Sequence, residues 1–361
     1  MERYRHWLAL KKVAGVGNVL FKRLVETFSS PNAVFQADEA MLTGVEGVSA
    51  AVARAIASFS AFSEIDAEFE KIEKAGATLL CSRDAGYPPL LSAIYDPPPL
   101  LYMKGTLNDP HAVAVVGSRK TTPYGRAVAE QMGRGLARQA VTVVSGFARG
   151  IDGVVHRATL AAGGRTLAVL GCGVDCVYPP EHQKLRDEVI TCGAILSEFP
   201  MGTPPEAHHF PQRNRIISGL ALGCVVIEAT ETSGALITAR CALEQGREVF
   251  AVPGWVTSPT SAGPHRLIQN GAKLAACVAD ILVEILPHLA ERAAQETPLA
   301  PPPPLEGNEA VVYAHLALVP KHIDQIIHES GQTAAAVAGF LLTLEIKGVV
   351  RTMPGQFYAR T

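Results

Sequence analysis

The middle of the chain alternates short, almost wholly apolar segments with helical patterns, and this alternation constrains the fold more than any other feature. The predicted strands are 112–116, 141–145, 166–170, 194–197, 223–228 and 248–252. The predicted helices are 123–139, 152–162, 181–191, 213–221 and 234–245. Strands without a polar face, separated by helices, are typical of a parallel sheet covered on both sides. We therefore predict an α/β fold with a doubly wound, mostly parallel sheet, whose ligands would bind at the carboxyl ends of the strands.

Composition shifts divide the 361 residues into three predicted domains and a linker. Residues 1–75 form a helical domain of the helix-hairpin-helix or SAM-like type, and 76–286 contain the sheet. Residues 287–307 form a Pro-rich linker. Residues 308–361 resemble a winged helix, with three helices and a terminal hairpin. The helix that would read DNA, TAAAVAGFLLTLEI, has no Arg, Lys, Asn or Gln, which favours protein interaction or regulation over sequence-specific DNA binding.

Two similar units in the first domain, 13–28 and 42–59, each place a glycine turn before an amphipathic helix. Such a turn exposes backbone N–H groups and can meet a phosphate, although many units of this kind only pack. The first unit is the more basic of the two, with Lys11, Lys12, Lys22 and Arg23. The sequence leaves open whether this domain contacts DNA.

Charge and cysteine content exclude several classes of protein. The net charge of -2 is not that of a general polyanion binder, but residues 117–165 contain eight basic and two acidic side chains, which predicts a confined anion site. The seven cysteines include no CxxC pair, so we expect free thiols, no metal and a reducing cytoplasm. The N-terminus has no signal-peptide pattern, and no apolar run is long enough to span a membrane.

Candidate ligand-binding segments follow the predicted strands. Gly117-Ser118-Arg119-Lys120 follows the first, without the GxGxxG of a dinucleotide site. Ser145-Gly146 and Arg149 follow the second. Phe210 with Arg213, Asn214 and Arg215 combines base stacking with phosphate pairing, as single strands require; alternatively, Phe210 is core and Arg213 pairs with a carboxylate. Ser233-Gly234 opens a helix and forms a further anion nest.

Six segments together resemble the DprA/Smf family: AVVGSRKTTPYG, VVSGFARGIDGVVHRATL, AVLGCGVD, FPQRNRIISGL, SGALITARCALEQGREVFAVPG and HRLIQNGAKL. The resemblance covers nearly the whole chain. It implies an extended Rossmann-like core and a non-catalytic, cytoplasmic protein that binds and protects single-stranded DNA during natural transformation. It also implies a homodimer that loads RecA recombinase, with no cofactor and no membrane partner.

The resemblance also assigns roles to residues. Arg119 matches the phosphate-gripping arginine, with Ser145 and Gly146 beside it, and Phe210 matches the aromatic at the base-contacting wall. Some members have a lysine where this chain has Ala207; Lys184, His208 or His209 could replace its charge. Leu267 and Ile268 would form the dimer and RecA surface, or belong to the core. The predicted DNA-binding residues are Gly117, Ser118, Arg119, Lys120, Ser145, Gly146, Arg149, Lys184, His209, Phe210, Arg213, Asn214, Arg215, Ser233 and Gly234.

Two other functions compete with this interpretation. A nucleotide phosphoribohydrolase of the lysine-decarboxylase-like group has a similar core, but it needs a helix carboxylate where this chain has Leu236 and Ile237. A regulator acting through the winged helix would need that module to bind duplex DNA.

Overall fold

The computed structural model of this chain describes residues 2–289, 305, 307–317 and 319–360. Most of the predicted linker, residues 290–304 and 306, therefore lies outside the described residues.

Strands of the main sheet reproduce the predicted alternation. They are β1 (Thr78–Cys81), β2 (Leu100–Gly105), β3 (Ala112–Val116), β4 (Thr142–Ser145), β5 (Thr166–Val169), β6 (Ala194–Ser197), β7 (Gly223–Val226), β8 (Glu248–Ala251) and β9 (Lys273–Leu274). All six predicted strands are present, and β1, β2 and β9 were not predicted. Within the described ranges these nine strands form one sheet in the order β1-β2-β6-β5-β4-β3-β7-β8-β9.

The sheet is parallel from β6 to β9, and β1 and β2 extend it in antiparallel fashion. From β3 the chain adds strands in one direction as far as β6 and then returns to place β7 on the other side of β3. The prediction of a mostly parallel, doubly wound sheet is confirmed. Ligands of such sheets bind where the strand order reverses, which here is beyond the carboxyl ends of β3 and β7.

Helices cover both faces of this sheet and form most of the flanking regions. They are α1 (Arg5–Lys12), α2 (Asn18–Phe28), α3 (Pro31–Gln36), α4 (Glu39–Thr43), α5 (Ala50–Ala57), α6 (Phe62–Lys74), α7 (Pro89–Ser92), α8 (Pro123–Arg138), α9 (Ile151–Ala161), α10 (Gln183–Cys192), α11 (His209–Gly219), α12 (Ala235–Glu244), α13 (Ala262–Gln269), α14 (Val278–Ile285), α15 (Asn308–Ala314), α16 (Ile323–Ser330) and α17 (Ala334–Ile346). Helix α11 begins four residues before its predicted start and includes Phe210.

The N-terminal helices share a hydrophobic core with the sheet. Leu10, Phe21 and Ile72, from α1, α2 and α6, belong to the same buried cluster as Tyr102 and Leu170. Full burial of one such side chain is worth about 1.5–3 kcal/mol, so this shared core holds the helical region against the sheet.

The C-terminal region has a core of its own. Strands β10 (Lys321–His322), β11 (Val350–Met353) and β12 (Phe357–Arg360) pair in the order β10-β12-β11. Val312, Ile326 and Leu341 from the three helices are fully buried above them. This is the predicted winged helix, with β10 as an additional short strand. No helix in the described part of the chain is long and apolar enough to cross a membrane.

Candidate functional site

A cleft of about 590 Å³ opens where the strand order reverses, beyond the carboxyl ends of β3 and β7. The loop after β3, the first turns of α11 and the start of α12 form its walls. Nine of the predicted residues line it: Gly117, Ser118, Arg119, Lys120, Phe210, Arg213, Asn214, Ser233 and Gly234. Segments more than 100 residues apart in sequence therefore meet at one site.

The loop after β3 is held in a fixed turn that leaves its two basic side chains exposed. The Ser118 hydroxyl donates to the Lys120 carbonyl at 2.8 Å and accepts from the Lys120 N–H at 3.1 Å. Gly150 has φ +76°, and a Cβ there would lie 2.1 Å from the Ser118 carbonyl oxygen. Only glycine fits this approach, so Gly150 allows the loops after β3 and β4 to pack together.

Arg119 lies over an aromatic ring at the mouth of the cleft. Its guanidinium carbon is 4.9 Å from the centroid of the Phe210 ring. The ring is half-buried and packs beside Gly171, where a Cβ would lie 3.0 Å from Phe210 Cδ1. Arg119 itself is exposed. The pair therefore presents a planar cation and an aromatic ring together, as expected of a site for phosphate and base.

Glu228 supports this loop from behind and was not among the predicted site residues. It is 3% exposed, and its carboxylate accepts hydrogen bonds from the Thr121 hydroxyl and the Thr122 N–H, both at 3.0 Å. The Thr260 hydroxyl donates to it at 3.3 Å. The sequence signal for Glu228 was an acidic residue at the end of an apolar strand. A carboxylate buried there requires hydrogen-bond donors, which the neighbouring loops supply. Glu228 thus connects the Arg119 loop to the wall that contains Thr260.

Arg213 forms part of the cleft floor and is only 3% exposed. It donates to the Gly146 carbonyl at 2.6 Å and also to the Val169 carbonyl. Burial lowers the pKa of Arg213 to about 10, against the opposing charge of Asp152. Burial likewise raises the pKa of Asp152, which Arg213 counteracts. Arg213 therefore ties β4 and β5 to α11 through two backbone carbonyls, with Asp152 as the nearby opposing charge.

Several predicted residues lie away from the cleft lining. The Ser145 hydroxyl is fully buried and donates to the Val115 carbonyl at 2.6 Å, so it faces the sheet and not a ligand. The Gly146 carbonyl accepts from Arg213. Arg149 is exposed but forms a two-pronged ion pair with Glu181.

The other three predicted residues outside the lining are Lys184, His209 and Arg215. Lys184 is on α10, 3.9 Å from Glu188. Arg215 forms ion pairs with Glu198 and Asp96. The His209 ring is covered by Phe199, with 4.2 Å between ring centroids. These side chains would need to rearrange to contact a ligand in the cleft.

The local excess of basic residues only partly belongs to the cleft. Arg134 pairs with Glu130 at 3.8 Å and Arg165 with Asp109 at 2.8 Å. The anion site predicted from residues 117–165 therefore depends on Arg119 and Lys120, the two basic residues of that segment that line the cleft.

Some lining residues were not predicted, since short or apolar side chains give no distinct signal in sequence. They are Val116, Ala148, Asp152, Ala207, Pro211, Ile217, Thr230, Ala235, Ile237, Thr238 and Thr260. Ile237 occupies the wall where a phosphoribohydrolase would require a carboxylate. Leu267 and Ile268 lie on α13, both half-buried, and Leu267 also packs against the sheet core.

The fold and the cleft define an α/β protein with a cationic and aromatic site at the carboxyl ends of its strands. The family model described as DNA recombination-mediator protein A matches residues 78–286. A DprA winged helix domain model matches residues 295–356, and a SAM-like helix-hairpin-helix tandem model matches residues 8–59. The chain belongs to the DNA recombination-mediator protein A family, also called DprA/Smf. The description of the family names a recombination mediator, in agreement with the prediction of a non-catalytic protein.

Curated relatives and solved structures agree with this assignment. Protein Smf of Escherichia coli is 42% identical over 75% of this chain and 74% of its own length. DNA processing protein DprA of Bacillus subtilis is 46% identical over 55% of this chain and 68% of its own. The X-ray structure of DprA from Streptococcus pneumoniae has a TM-score of 0.68 and 36% identity, covering 78% of this chain and 98% of that one.

A second solved structure is that of DNA processing protein A from Helicobacter pylori, whose description refers to a single-stranded DNA binding mode. It has a TM-score of 0.53 and 27% identity, and covers 59% of this chain and 96% of that one.

Proposed function

We propose that the cleft binds single-stranded DNA, with phosphates at Arg119 and Lys120 and a base against Phe210. The observation that carries this proposal is the Arg119–Phe210 pair, in which an exposed guanidinium lies 4.9 Å from an aromatic centroid. A guanidinium offers a fork of donors that matches phosphate oxygens, and the ring offers a face to any base. The pairing therefore suits a strand whose bases are not already stacked in a duplex.

The opposite wall contains a helix start. Ser233 and Gly234 precede the ten-residue helix α12, and both line the cleft. The N–H groups of Ala235, Leu236 and Ile237 already donate within this turn, so the helix start would favour an anion through the positive end of the helix dipole. Arg119, Lys120 and this helix start would therefore hold successive phosphates on the two sides of the cleft.

We further propose the finer roles that the resemblance implies: cytoplasmic protection of incoming strands, loading of RecA recombinase and formation of a homodimer. The half-buried Leu267 and Ile268 on α13 remain our candidates for the dimer and RecA surface. We retain the domain limits 1–75, 76–286, 287–307 and 308–361, which the separate buried core of the C-terminal region supports.

The test of DNA binding is fluorescence anisotropy of a labelled oligo-dT with the full chain. We expect affinity to fall as salt rises, and Arg119→Ala to weaken binding at least about tenfold, since one charge-assisted contact is worth about 1.5–3 kcal/mol. Arg149→Ala is the matched control, because Arg149 is also exposed but is paired with Glu181 outside the cleft. Equal affinities of the two variants would place the DNA elsewhere.

A further inference from the structure

The turn that leads into α11 brings together three potential metal ligands. One donor atom from each of Glu206, His208 and His209 lies within 4.8 Å of the others. A Glu206 carboxylate oxygen is 3.4 Å from His208 Nδ1, and the two imidazole centroids are 4.3 Å apart. Ligands about 2.0–2.2 Å from one tetrahedral ion are separated by little more than 3 Å, so the Glu206–His208 distance already suits a shared ion.

His209 is held in a form suited to metal binding. The residue is 9% exposed, and its ring packs against Phe199 with 4.2 Å between centroids. Its Nδ1 is 3.2 Å from the Pro204 carbonyl oxygen, which can only accept a hydrogen bond. The Nδ1–H must therefore donate there, and in the neutral imidazole the lone pair is on Nε2. Metal-binding histidines are commonly oriented in this way by a carbonyl or carboxylate beyond the ligand shell.

The backbone also fixes the turn. The Glu206 N–H donates to the Pro204 carbonyl at 3.1 Å, and the His209 N–H donates to the Glu206 carbonyl at 3.0 Å. These bonds fix the backbone of the turn, so the entropy lost when an ion binds would come mainly from the side chains.

We propose that Glu206, His208 and His209 bind a divalent transition-metal ion of the zinc class at the rim of the cleft. Two imidazoles and one carboxylate suit Zn²⁺, whereas Mg²⁺ and Ca²⁺ prefer oxygen ligands alone. Three protein ligands leave a coordination position for water or another oxygen ligand. The prediction of no metal came from the cysteine spacing, and this site contains no cysteine.

The position of the proposed ion suits a role in DNA binding. Ala207, between two of the ligands, lines the cleft together with Phe210 and Pro211. A dication there would add positive charge beside the Arg119–Phe210 pair and offer an open position to a phosphate oxygen. This contact between the ion and a phosphate rests on the proposed binding of single-stranded DNA, whereas the metal site itself does not.

The metal site is tested on the untagged full chain after treatment with a chelator, by titration with Zn²⁺ in a calorimeter and with Co²⁺ in an absorption spectrometer. We expect one equivalent to bind. His208→Ala should weaken binding at least about tenfold, the lower end of what loss of a supporting residue costs a metal site. His208 is exposed, so the variant should fold, which circular dichroism checks.

The matched control is His322→Ala. His322 Nδ1 is 3.3 Å from Asp324, so this pair has nearly the geometry of Glu206 and His208, and it lies in the C-terminal region. No third ligand joins it among the residues that the structure describes. His322→Ala should bind Zn²⁺ like the unmodified chain. Absence of binding to the unmodified chain, or equal affinities of the two variants, would overturn the metal site and leave an ordinary His208–Glu206 ion pair.

A second measurement tests the link to the cleft. Oligo-dT affinity should rise about fivefold when Zn²⁺ is added to the unmodified chain, as expected for one additional phosphate contact, and should not change in His208→Ala. Zn²⁺ binding without this rise would overturn the link but not the metal site. Absence of oligo-dT binding under all conditions would overturn the proposed function, while the calorimetric result would still decide the metal site.

Discussion

Two regions of this protein contain an arginine over a phenylalanine ring, and their surroundings differ. In the N-terminal helices, the Arg5 guanidinium carbon is 5.5 Å from the Phe62 centroid, and the same guanidinium forms two hydrogen bonds with the Asp66 carboxylate. In the cleft, Arg119 is 4.9 Å from Phe210 and is directed into a cavity. The contact with the ring is alike in both places, so the presence of a carboxylate decides whether the cation is available to a ligand.

The same contrast applies to the glycine turns. Both the N-terminal units and the strand-end loops place glycine before a helix. In the first unit, however, three of the four cations already have partners. Lys12 pairs with Glu64, and Arg23 lies 3.6 Å from Glu46. Lys11 is directed inward and donates to the Glu198 carbonyl. Burial lowers the pKa of Lys11. A turn that could meet a phosphate therefore does not define a site when three of its four cations are already engaged.

The largest expected effect is on the free energy of unfolding, and it distinguishes a buried arginine from an exposed one. Arg213→Ala should lower the free energy of unfolding by about 3–5 kcal/mol, because Asp152 would remain buried without its opposing charge. Arg5→Ala should cost at most about 1 kcal/mol, since its ion pair is partly exposed. Urea denaturation measures both. Similar losses in the two variants would mean that Arg213 is not a structural residue.

The next largest expected effect is on DNA affinity, and it distinguishes the Phe210 ring from the Phe62 ring. Phe210→Ala should weaken oligo-dT binding by about 1–3 kcal/mol, roughly 5- to 150-fold, because base stacking on an aromatic ring is worth this much. Phe210→Trp should retain affinity, and Phe62→Ala should leave it within about twofold. Anisotropy titrations measure all three. Loss of affinity in Phe62→Ala as large as in Phe210→Ala would contradict the distinction between the regions.

A smaller effect is expected on the salt dependence of DNA binding. Arg119→Gln should reduce the slope of log affinity against log salt by about 0.7, the value for one phosphate contact to a single strand. Arg5→Gln should leave the slope unchanged, because its charge is already neutralised by Asp66. Titrations at four salt concentrations give both slopes. An unchanged slope in Arg119→Gln would mean that this side chain does not contact phosphate.

The smallest effect is expected in the helix-hairpin-helix region. The double variant Lys12→Ala and Arg23→Ala should bind oligo-dT within about twofold of the unmodified chain, since exposed pairs contribute about 0–1 kcal/mol each. A fall of tenfold or more would show that the first unit contacts DNA and would remove the contrast between the regions.

Apolar periodicity made the parallel strands predictable, because strands buried on both faces carry no polar residues. Strands β1 and β2 were missed because their pattern is interrupted by loops and short helices, and β9 because it has only two residues. In the cleft, Gly117 to Lys120 and Phe210 could be predicted since they follow strands whose carboxyl ends share one edge. Glu228 could have been noticed, whereas Thr230 and Thr260 have no signal of their own.

The sequence by itself determined the α/β architecture, the segments that meet at the strand ends and the family of this protein, because hydrophobic periodicity and strand-end motifs are local properties. Only the tertiary structure decided which cations are available. Arg119, Arg149, Arg213 and Arg215 were all predicted to bind DNA, but Arg149 and Arg215 pair with carboxylates and Arg213 with buried carbonyls. Those partners are 17 to 119 residues away in sequence, so no local pattern reveals them. A charged side chain is available to a ligand only where folding has not already paired that side chain with a carboxylate or a carbonyl.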